Sequence, residues 1–258
     1  MASASAHPEQ VARAFLTPRP STKRQALQLA GIETLRVSTP QGVISLQRAG
    51  VGPAVLLLHG WEGQASDLAA FAPPLVKAGF TVWAMDLPAH GDSAGQQTSI
   101  PHSARALSGV GDAIGPLHAV IAHSVGSAVL VEALHSGLSV QRAVLISAPA
   151  YYERYMRAFA AAAGLDANGA DAMIALLSRE IGVEAREISL PGRAPHLGQP
   201  VLFIHSADDR IVSIEDSLAS AAAWRGARHL RFEGLGHRRI LSDPAVVDAT
   251  VEFVNITK

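Results

Sequence analysis

The sequence predicts an α/β fold in which helices cover both faces of a mostly parallel central sheet and a small helical cap is inserted. Two observations lead to this class. Short apolar runs rich in β-formers alternate with longer segments of helical spacing, which is the element order of an open parallel sheet. One interval, residues 150–200, breaks the alternation and holds only helix-like stretches. Fifty residues are too many for one crossover, so this interval predicts the cap.

The composition indicates one compact globular domain and excludes several classes of function. The chain has 258 residues, of which 48% are hydrophobic and 17% are charged. A net charge of -1 argues against strong binding to nucleic acid or to anionic membranes. The chain has no cysteine, so disulfides, thiol nucleophiles and thiolate metal sites are excluded. It has neither an apolar run long enough for a membrane span nor the hydrophobic core of a secretory signal near its start, and we expect a cytoplasmic protein.

Seven runs are predicted as strands of the main sheet. They are Val43–Leu46, Val55–His59, Thr81–Met85, Ala119–His123, Ala143–Ser147, Val201–His205 and His229–Glu233. Runs such as "VLLLH" and "VLFIH" are almost continuously apolar, as expected for parallel strands that are covered on both faces. An earlier run near Leu35–Val37 is predicted to form a hairpin with the first of these strands through residues 40–42.

Capping residues and apolar spacing predict the helices between the strands. Ser66 is expected to cap the first helix, which Pro73–Pro74 should kink or shorten. Ser99 is expected to cap the second, with Pro101 in its first turn. The third is predicted over Ser124–His135, directly after a strand.

Two further helices follow the cap interval. Ser213 begins "SIED", which resembles a capping box with Asp216 in place of the usual glutamate. This helix is predicted to continue through Leu218–Trp224. The last helix is predicted to start at Asp243–Pro244 and to run through Val247, Val251 and Val254.

These elements suggest one domain preceded by an extension. Residues 1–34 are predicted as an N-terminal extension and residues 35–258 as the domain. Within it, residues 150–200 form the cap, with helices predicted at Tyr151–Ala163 and Gly169–Ile181.

The segment "IAHSVGSA" holds the first candidate for chemistry, Ser124. A nucleophilic serine on a sharp strand-to-helix turn needs small residues two positions before and after it, because the neighbouring backbone packs closely. Here these are Ala122 and Gly126. The alternative is an ordinary serine that caps a helix.

An activated serine needs a base and a carboxylate that orients the base. His237 lies in "EGLGHRRIL", just after the last predicted strand, and "HSADDRIVS" offers Asp208 and Asp209 after the strand before it. The carboxyl ends of parallel strands meet at one edge of a sheet, so these loops are expected to lie beside Ser124. The order serine, aspartate, histidine is that of a known hydrolase arrangement.

From about Leu35 to its end, the sequence resembles the α/β-hydrolase superfamily, and within it the small bacterial-type serine esterases and lipases. Five segments carry this resemblance: "LLLHGWEG", "AMDLPAHGDSAG", "IAHSVGSA", "IHSADDRIVS" and "GLGHRRIL". The resemblance implies the α/β-hydrolase fold. It also implies that Ser124 is the nucleophile and His237 the base, and that the backbone N–H groups of Trp61 and Val125 form the oxyanion hole.

The resemblance favours Asp209 over Asp208 as the third member of the triad. The family commonly shows the pattern D-x-x-V-P in this loop, with the catalytic aspartate first. Asp209 and Val212 fit this pattern, and Ser213 stands where the proline would be. Asp208 is then expected to bond local backbone N–H groups.

Other polar residues of these motifs are given structural roles. We expect His59 to hold its loop through hydrogen bonds and His123 to pack beneath the serine turn, whereas Glu62 is expected to form a polar wall or an ion pair. The segment "DLPAHGDS" contains three potential metal ligands, Asp86, His90 and Asp92. The resemblance indicates a turn here instead, so we expect neither a metal nor a cofactor.

The activity implied is hydrolysis of small-molecule carboxylic esters with short to medium apolar acyl groups. The cap offers two apolar helix faces: Tyr152, Tyr155, Met156 and Phe159 on one, and Met173, Ile174 and Leu177 on the other. These faces either roof the site or simply pack on each other and on the sheet. The alternatives are an acyltransferase or perhydrolase with the same acyl-enzyme, and a ligand-binding member of the fold that does no hydrolysis.

Overall fold

The computed structural model describes residues 7–19 and 25–256. Parts of the predicted N-terminal extension, residues 1–6 and 20–24, lie outside these ranges, as does the end of the chain at residues 257–258. None of the helices in the described part of the chain is long and apolar enough to cross a membrane.

The described residues form one eight-stranded sheet in the order β1-β2-β4-β3-β5-β6-β7-β8. The strands are β1 (Glu33–Thr39), β2 (Gly42–Ala49), β3 (Ala54–Leu58), β4 (Thr81–Met85), β5 (Leu117–His123), β6 (Val140–Ile146), β7 (Val201–Ser206) and β8 (Arg228–Phe232). The β1–β2 hairpin runs antiparallel at one edge, and β3 to β8 are parallel. The predicted α/β class with a mostly parallel sheet is confirmed.

Helices lie on both faces of this sheet. They are α1 (Pro8–Leu16), α2 (Ala72–Lys77), α3 (Ile100–Ile114), α4 (Val125–His135), α5 (Tyr152–Ala162), α6 (Ala167–Ile181), α7 (Leu190–Arg193), α8 (Ile214–Ala223), α9 (Gly236–Arg239) and α10 (Pro244–Asn255). One hydrophobic cluster joins α1, α3, α4 and the helices α5 and α6 to one face of the sheet. A second cluster joins α2 and α10 to the other.

Residues 150–200, the interval predicted as a cap, contain α5, α6, α7 and short 3₁₀ turns. The two ends of this interval are held together by an isolated bridge between Tyr151 and Ser189 and by a hydrogen bond from Leu190 N to Ala150 O of 2.9 Å. The insertion therefore starts and finishes beside the carboxyl end of β6.

Two expectations about helix starts were wrong. Gln64, and not Ser66, is the cap before the helical segment of residues 65–77, because the carboxylate of Asp67 accepts a hydrogen bond from Gln64 N at 3.2 Å. A 3₁₀ segment over Ala65–Phe71 then leads into α2, as the proline pair predicts. Ser213 does cap the N-terminus of α8. Asp216 does not complete a capping box, since its carboxylate accepts a hydrogen bond from Ala150 N at the start of the inserted residues 150–200.

Helix α1 lies inside the segment that was treated only as an extension. Pro8 occupies its first turn and Glu9 complements the positive end of the helix dipole, both common at helix starts. Val11, Ala12 and Leu16 form its buried face.

Candidate active site

Ser124 occupies the sharp turn between β5 and α4. Its backbone is left-handed, with φ of 52° and ψ of −126°, a strained conformation for a residue other than glycine. Close packing explains the small neighbours. A Cβ at Gly126 would lie 2.8 Å from Leu58 O, and a Cβ at Gly60 would lie 2.9 Å from the Cβ of Ser124. The turn therefore lifts the serine side chain out of the sheet at its carboxyl edge.

His237, in α9 after the last strand, lies between Ser124 and Asp209. Its Nε2 is 3.1 Å from Ser124 Oγ, and its Nδ1 is 2.8 Å from Asp209 Oδ2. A carboxylate only accepts hydrogen bonds, so the neutral imidazole carries its proton on Nδ1 and donates a hydrogen bond from Nδ1–H to Asp209. Nε2 is then left with a lone pair that faces the serine hydroxyl.

The loop after β7 fixes Asp209 and separates it from Asp208. Asp209 Oδ1 accepts hydrogen bonds from Ile211 N at 2.8 Å and Val212 N at 3.0 Å, while Oδ2 accepts from His237. Burial alone would raise the pKa of Asp209, but hydrogen bonds from histidine and backbone donors outweigh it and hold the pKa well below its usual range. Asp208 is exposed and accepts from Gly236 N at 3.1 Å, a group 28 residues along the chain and not a local one.

His205 is a member of this cluster to which the sequence reasoning gave no role. It is the last residue but one of β7 and is fully buried, and its Nε2 lies 3.4 Å from Asp209 Oδ2 and 3.0 Å from Val212 O. Its Nδ1 contacts Ser217 Oγ at 2.8 Å, so both ring nitrogens have partners and the ring orientation is fixed. The available signal was its position, because it ends a predicted strand four residues before Asp209.

The predicted oxyanion donors, Trp61 and Val125, flank Ser124. Among the described residues, neither backbone N–H has a hydrogen-bond acceptor. His59 holds this loop, since its Nδ1 donates to Gly60 O at 2.6 Å and its Nε2 accepts from Leu87 N at 3.0 Å. Burial lowers the pKa of His59 to about 3, so the ring is neutral at neutral pH.

Glu62 follows Trp61 with a left-handed φ of 58°. Its N–H donates to His90 Nε2 at 3.0 Å, and its Oε1 accepts from Arg19 N at 3.0 Å. The side chain of Glu62 therefore binds a backbone group of the N-terminal segment.

His123 lies beneath the serine turn. Its Nε2 donates to the backbone carbonyl of His237 at 2.9 Å, and the two rings are 4.7 Å apart. Burial lowers the pKa of His123 to about 3, which keeps this ring neutral beside His237. His123 thus supports the position of α9.

Asp86, His90 and Asp92 form a turn. Asp86 accepts from Ala65 N at 2.7 Å and from Asp92 N at 3.0 Å, and His90 bonds to the backbone of Pro88 and Glu62. Within residues 7–19 and 25–256, no three histidine or carboxylate side chains are grouped so that they could hold a metal ion.

Two cavities open on Ser124 and His237. The larger, of about 430 Å³, has mostly apolar walls that include Trp61, Val125, Ile188 and Ile211. The smaller, of about 190 Å³, is more polar and is lined by Asp67, His123 and Arg238, among others. Ser124 and His237 therefore lie between an apolar space and a polar one.

The cap contributes to the larger cavity in part. Tyr152, Tyr155 and Phe159 of α5 line it. The other predicted roof residues, Met156, Met173, Ile174 and Leu177, are buried in the core. Part of the first apolar face thus lines the cavity, and the remaining residues of the two faces pack in the core. Phe15 of α1 also lines the cavity, although the sequence reasoning gave it no role.

A buried carboxylate ties the cap to the main domain. Asp216 of α8 is 1% exposed and accepts hydrogen bonds from Ala150 N at 2.9 Å and from the Tyr155 hydroxyl at 2.8 Å. Arg154 makes an ion pair with the same carboxylate. Tyr155 is thereby held at the wall of the larger cavity.

We compared the chain with known protein families, curated sequences and solved structures. The model of the alpha/beta hydrolase family matches residues 55–250. A comparison with curated protein sequences gave no significant match.

Solved structures share the fold at low identity. An esterase from Exiguobacterium antarcticum is 16% identical with a TM-score of 0.71, over 87% of this chain and 100% of that one. An esterase from Pyrococcus furiosus is 18% identical with a TM-score of 0.70, over 93% and 96% of the two chains. A bromoperoxidase from Bacillus anthracis is 15% identical with a TM-score of 0.65, over 86% and 99%. Since these names differ, the shared fold does not by itself select the reaction.

Proposed function

Since this chain belongs to the alpha/beta hydrolase family, we propose that it is a serine esterase that cleaves small carboxylic esters with short to medium apolar acyl groups. The observation that carries the proposal is the continuous contact from Ser124 Oγ through His237 to Asp209, at 3.1 Å and 2.8 Å. Three ordered groups in this arrangement are what an acyl-enzyme mechanism requires.

In the proposed reaction, His237 Nε2 takes the proton of Ser124 while the serine oxygen attacks the ester carbonyl. The low pKa of Asp209 keeps its carboxylate ionised, and the charge on the imidazolium is stabilised. The N–H groups of Trp61 and Val125 donate to the oxyanion. His237 then gives its proton to the departing alcohol. A water molecule, deprotonated by the same ring, attacks the acyl-enzyme and releases the acid and free Ser124.

The larger cavity supports the choice of acyl group. An apolar space of about 430 Å³ lies in the usual size range of small-molecule sites, and it favours alkyl chains over charged groups. Across p-nitrophenyl esters from acetate to palmitate, kcat/KM should be highest for short to medium chains. A maximum at palmitate would contradict this part of the proposal.

The polar cavity favours acyl transfer as a second candidate. A space of about 190 Å³ beside His237, lined by Asp67 and Arg238, admits water and also admits a small polar alcohol. Product analysis with p-nitrophenyl butyrate and glycerol separates the two outcomes. Butyrate as the main product indicates hydrolysis, and glycerol butyrate as the main product indicates transfer.

Labelling tests the nucleophile directly. A fluorophosphonate probe should modify Ser124, identified by mass mapping, and the Ser124→Ala variant should lose both the label and at least about 10⁴-fold of its activity on p-nitrophenyl butyrate. Ser147→Ala is the matched control. Ser147 directly follows the neighbouring strand β6 with a φ of 51°, and its buried Oγ has no hydrogen-bond partner among the described residues.

The outcomes separate the competing functions. Label and activity that persist in Ser124→Ala would contradict the mechanism. A wild-type protein that binds esters without turnover, and that the probe does not label, would instead be a ligand-binding member of the fold.

A further inference from the structure

Helix α1 packs against both the cap and the main domain. Its buried face, Val11, Ala12 and Leu16, belongs to the same hydrophobic cluster as α3, α5 and α6. Hydrogen bonds hold the end of the helix to the segment before α3. Leu16 O accepts from Thr98 N at 2.9 Å, and Arg13 O accepts from Gln97 Nε2 at 3.3 Å.

Phe15 is the residue of α1 that reaches the larger cavity. Its ring packs on two rings of α5 that line the same space. The centroids of Phe15 and Tyr152 are 5.6 Å apart at 49°, and those of Phe15 and Phe159 are 5.2 Å apart at 74°. Such tilted and edge-on arrangements are the favoured geometries of aromatic pairs. The Phe15 ring is therefore held in place by its neighbours as well as by its helix.

The segment that follows α1 reaches the oxyanion loop. The backbone N–H of Arg19 donates to Glu62 Oε1 at 3.0 Å, and Glu62 follows the predicted oxyanion donor Trp61. The first described segment, residues 7–19, thus contacts the cap at α5 and the catalytic loop at Glu62. It spans one side of the cavity between these two parts.

We propose that α1 is a wall of the acyl cavity and that Phe15 determines the length of acyl chain that the enzyme accepts. This inference rests on the proposed esterase function. An acyl chain attached at Ser124 extends into the apolar cavity, where Phe15 contributes part of the wall. A chain that outgrows this space must displace the ring, which Tyr152 and Phe159 oppose.

Two substitutions at Phe15 should change chain-length preference in opposite directions. Phe15→Ala enlarges the cavity and should raise the ratio of kcat/KM for p-nitrophenyl laurate to that for the butyrate by about tenfold or more, because additional methylenes find apolar wall. Phe15→Trp fills the space and should lower this ratio by about threefold or more. Leu16→Ala is the matched control, since it removes a buried side chain of the same helix that does not line this cavity.

The result that overturns the proposal is a laurate-to-butyrate ratio that is unchanged in both Phe15 variants, or one that Leu16→Ala alters as much as Phe15→Ala does. If Phe15→Ala does not fold, Phe15→Leu replaces it, with the same direction expected.

A binding measurement separates this proposal from the proposed activity. In the Ser124→Ala background, calorimetry should show that Phe15→Ala strengthens the binding of laurate relative to butyrate. Laurate binding that does not depend on Phe15 would contradict the proposal that Phe15 limits the cavity, even if the wild type is an active esterase. If the wild type has no esterase activity but its laurate binding depends on Phe15, the enzymatic function is contradicted and the proposal that Phe15 forms a wall of the cavity stands.

Discussion

Asp208 and Asp209 are adjacent in the chain, but their carboxylates point to different partners. Asp209 Oδ2 accepts a hydrogen bond from His237 Nδ1, whereas Asp208 is exposed and accepts from Gly236 N. Because Asp209 accepts from Ile211 N and Val212 N with its other oxygen, an asparagine there would keep that oxygen in place. Its amide NH₂ would then face His237 and favour the wrong tautomer.

Asp209→Asn should therefore lower kcat by a factor on the order of 10⁴, with little loss of stability. Asp208→Asn, the matched control, should stay within about tenfold of the wild type. The check is kcat on p-nitrophenyl butyrate for both variants, together with their urea midpoints. Equal losses of activity in the two variants would contradict the assignment of Asp209.

At this scale, the meeting of Ser124, Asp209 and His237 could be predicted because each ends or follows a parallel strand at the same edge. Their catalytic roles stay predictions. The part played by Phe15 could not be predicted, since it depends on aromatic contacts with α5, more than 130 residues along the chain. The residues that surround Phe15 in the sequence do not indicate a contact with a helix so far along the chain.

Helix α5 carries two exposed arginines whose carboxylate partners differ in burial, and this allows the anchoring of the cap to be tested. Arg154 makes an ion pair with Asp216 of the main domain, whose carboxylate is almost fully buried. Arg157 pairs with Glu153 and Asp171, which are both in the cap; Glu153 is half-buried and Asp171 is exposed. Only the first pair connects the cap to the body of the molecule.

Arg154→Ala should lower the free energy of unfolding by about 2 to 4 kcal/mol, because it leaves a buried carboxylate without its counter-ion. Arg157→Ala should cost about 1 kcal/mol or less, as is typical of exposed pairs. Urea denaturation at pH 7 measures both. A loss for Arg157→Ala that equals or exceeds the loss for Arg154→Ala would contradict this reading of the anchor.

Elements whose signals are local were predictable. Ser99 caps α3, accepting from His102 N at 3.2 Å, and Pro101 lies in the first turn as expected. Asp216 shows the converse case. Its spacing from Ser213 imitates a capping box, but a buried carboxylate is stabilised more by Arg154 and Tyr155 than by one backbone N–H. Helix α1 was missed because a nine-residue helix gains its stability mainly from packing on distant elements.

For the whole molecule, the buried neutral histidines set how stability depends on pH. Burial holds the pKa of both His59 and His123 at about 3, below the ordinary value near 6.5. As the pH falls below about 6.5, the unfolded chain binds protons at these positions before the folded protein does. The free energy of unfolding should therefore fall continuously from about pH 7 to about pH 3.

Between pH 7 and pH 5, each of these histidines should account for about 2 kcal/mol of this loss. Replacing His123 with glutamine removes one titrating ring, so the loss between the two pH values should shrink by about 2 kcal/mol. The measurement is urea denaturation of both proteins at pH 7 and pH 5. An unchanged difference between the two pH values would show that His123 is not a source of the slope.

The position of α1 in the chain has a consequence for protein synthesis. Its apolar face packs against α5 and α6, which begin at Tyr152 and Ala167. At about 5 to 20 residues per second, a ribosome needs roughly 7 to 27 s to advance from Phe15 to Tyr152. During that time Val11, Phe15 and Leu16 have no cap to pack on. The emerging chain thus presents an apolar segment without its packing partners to chaperones well before Asp209 and His237 are synthesised.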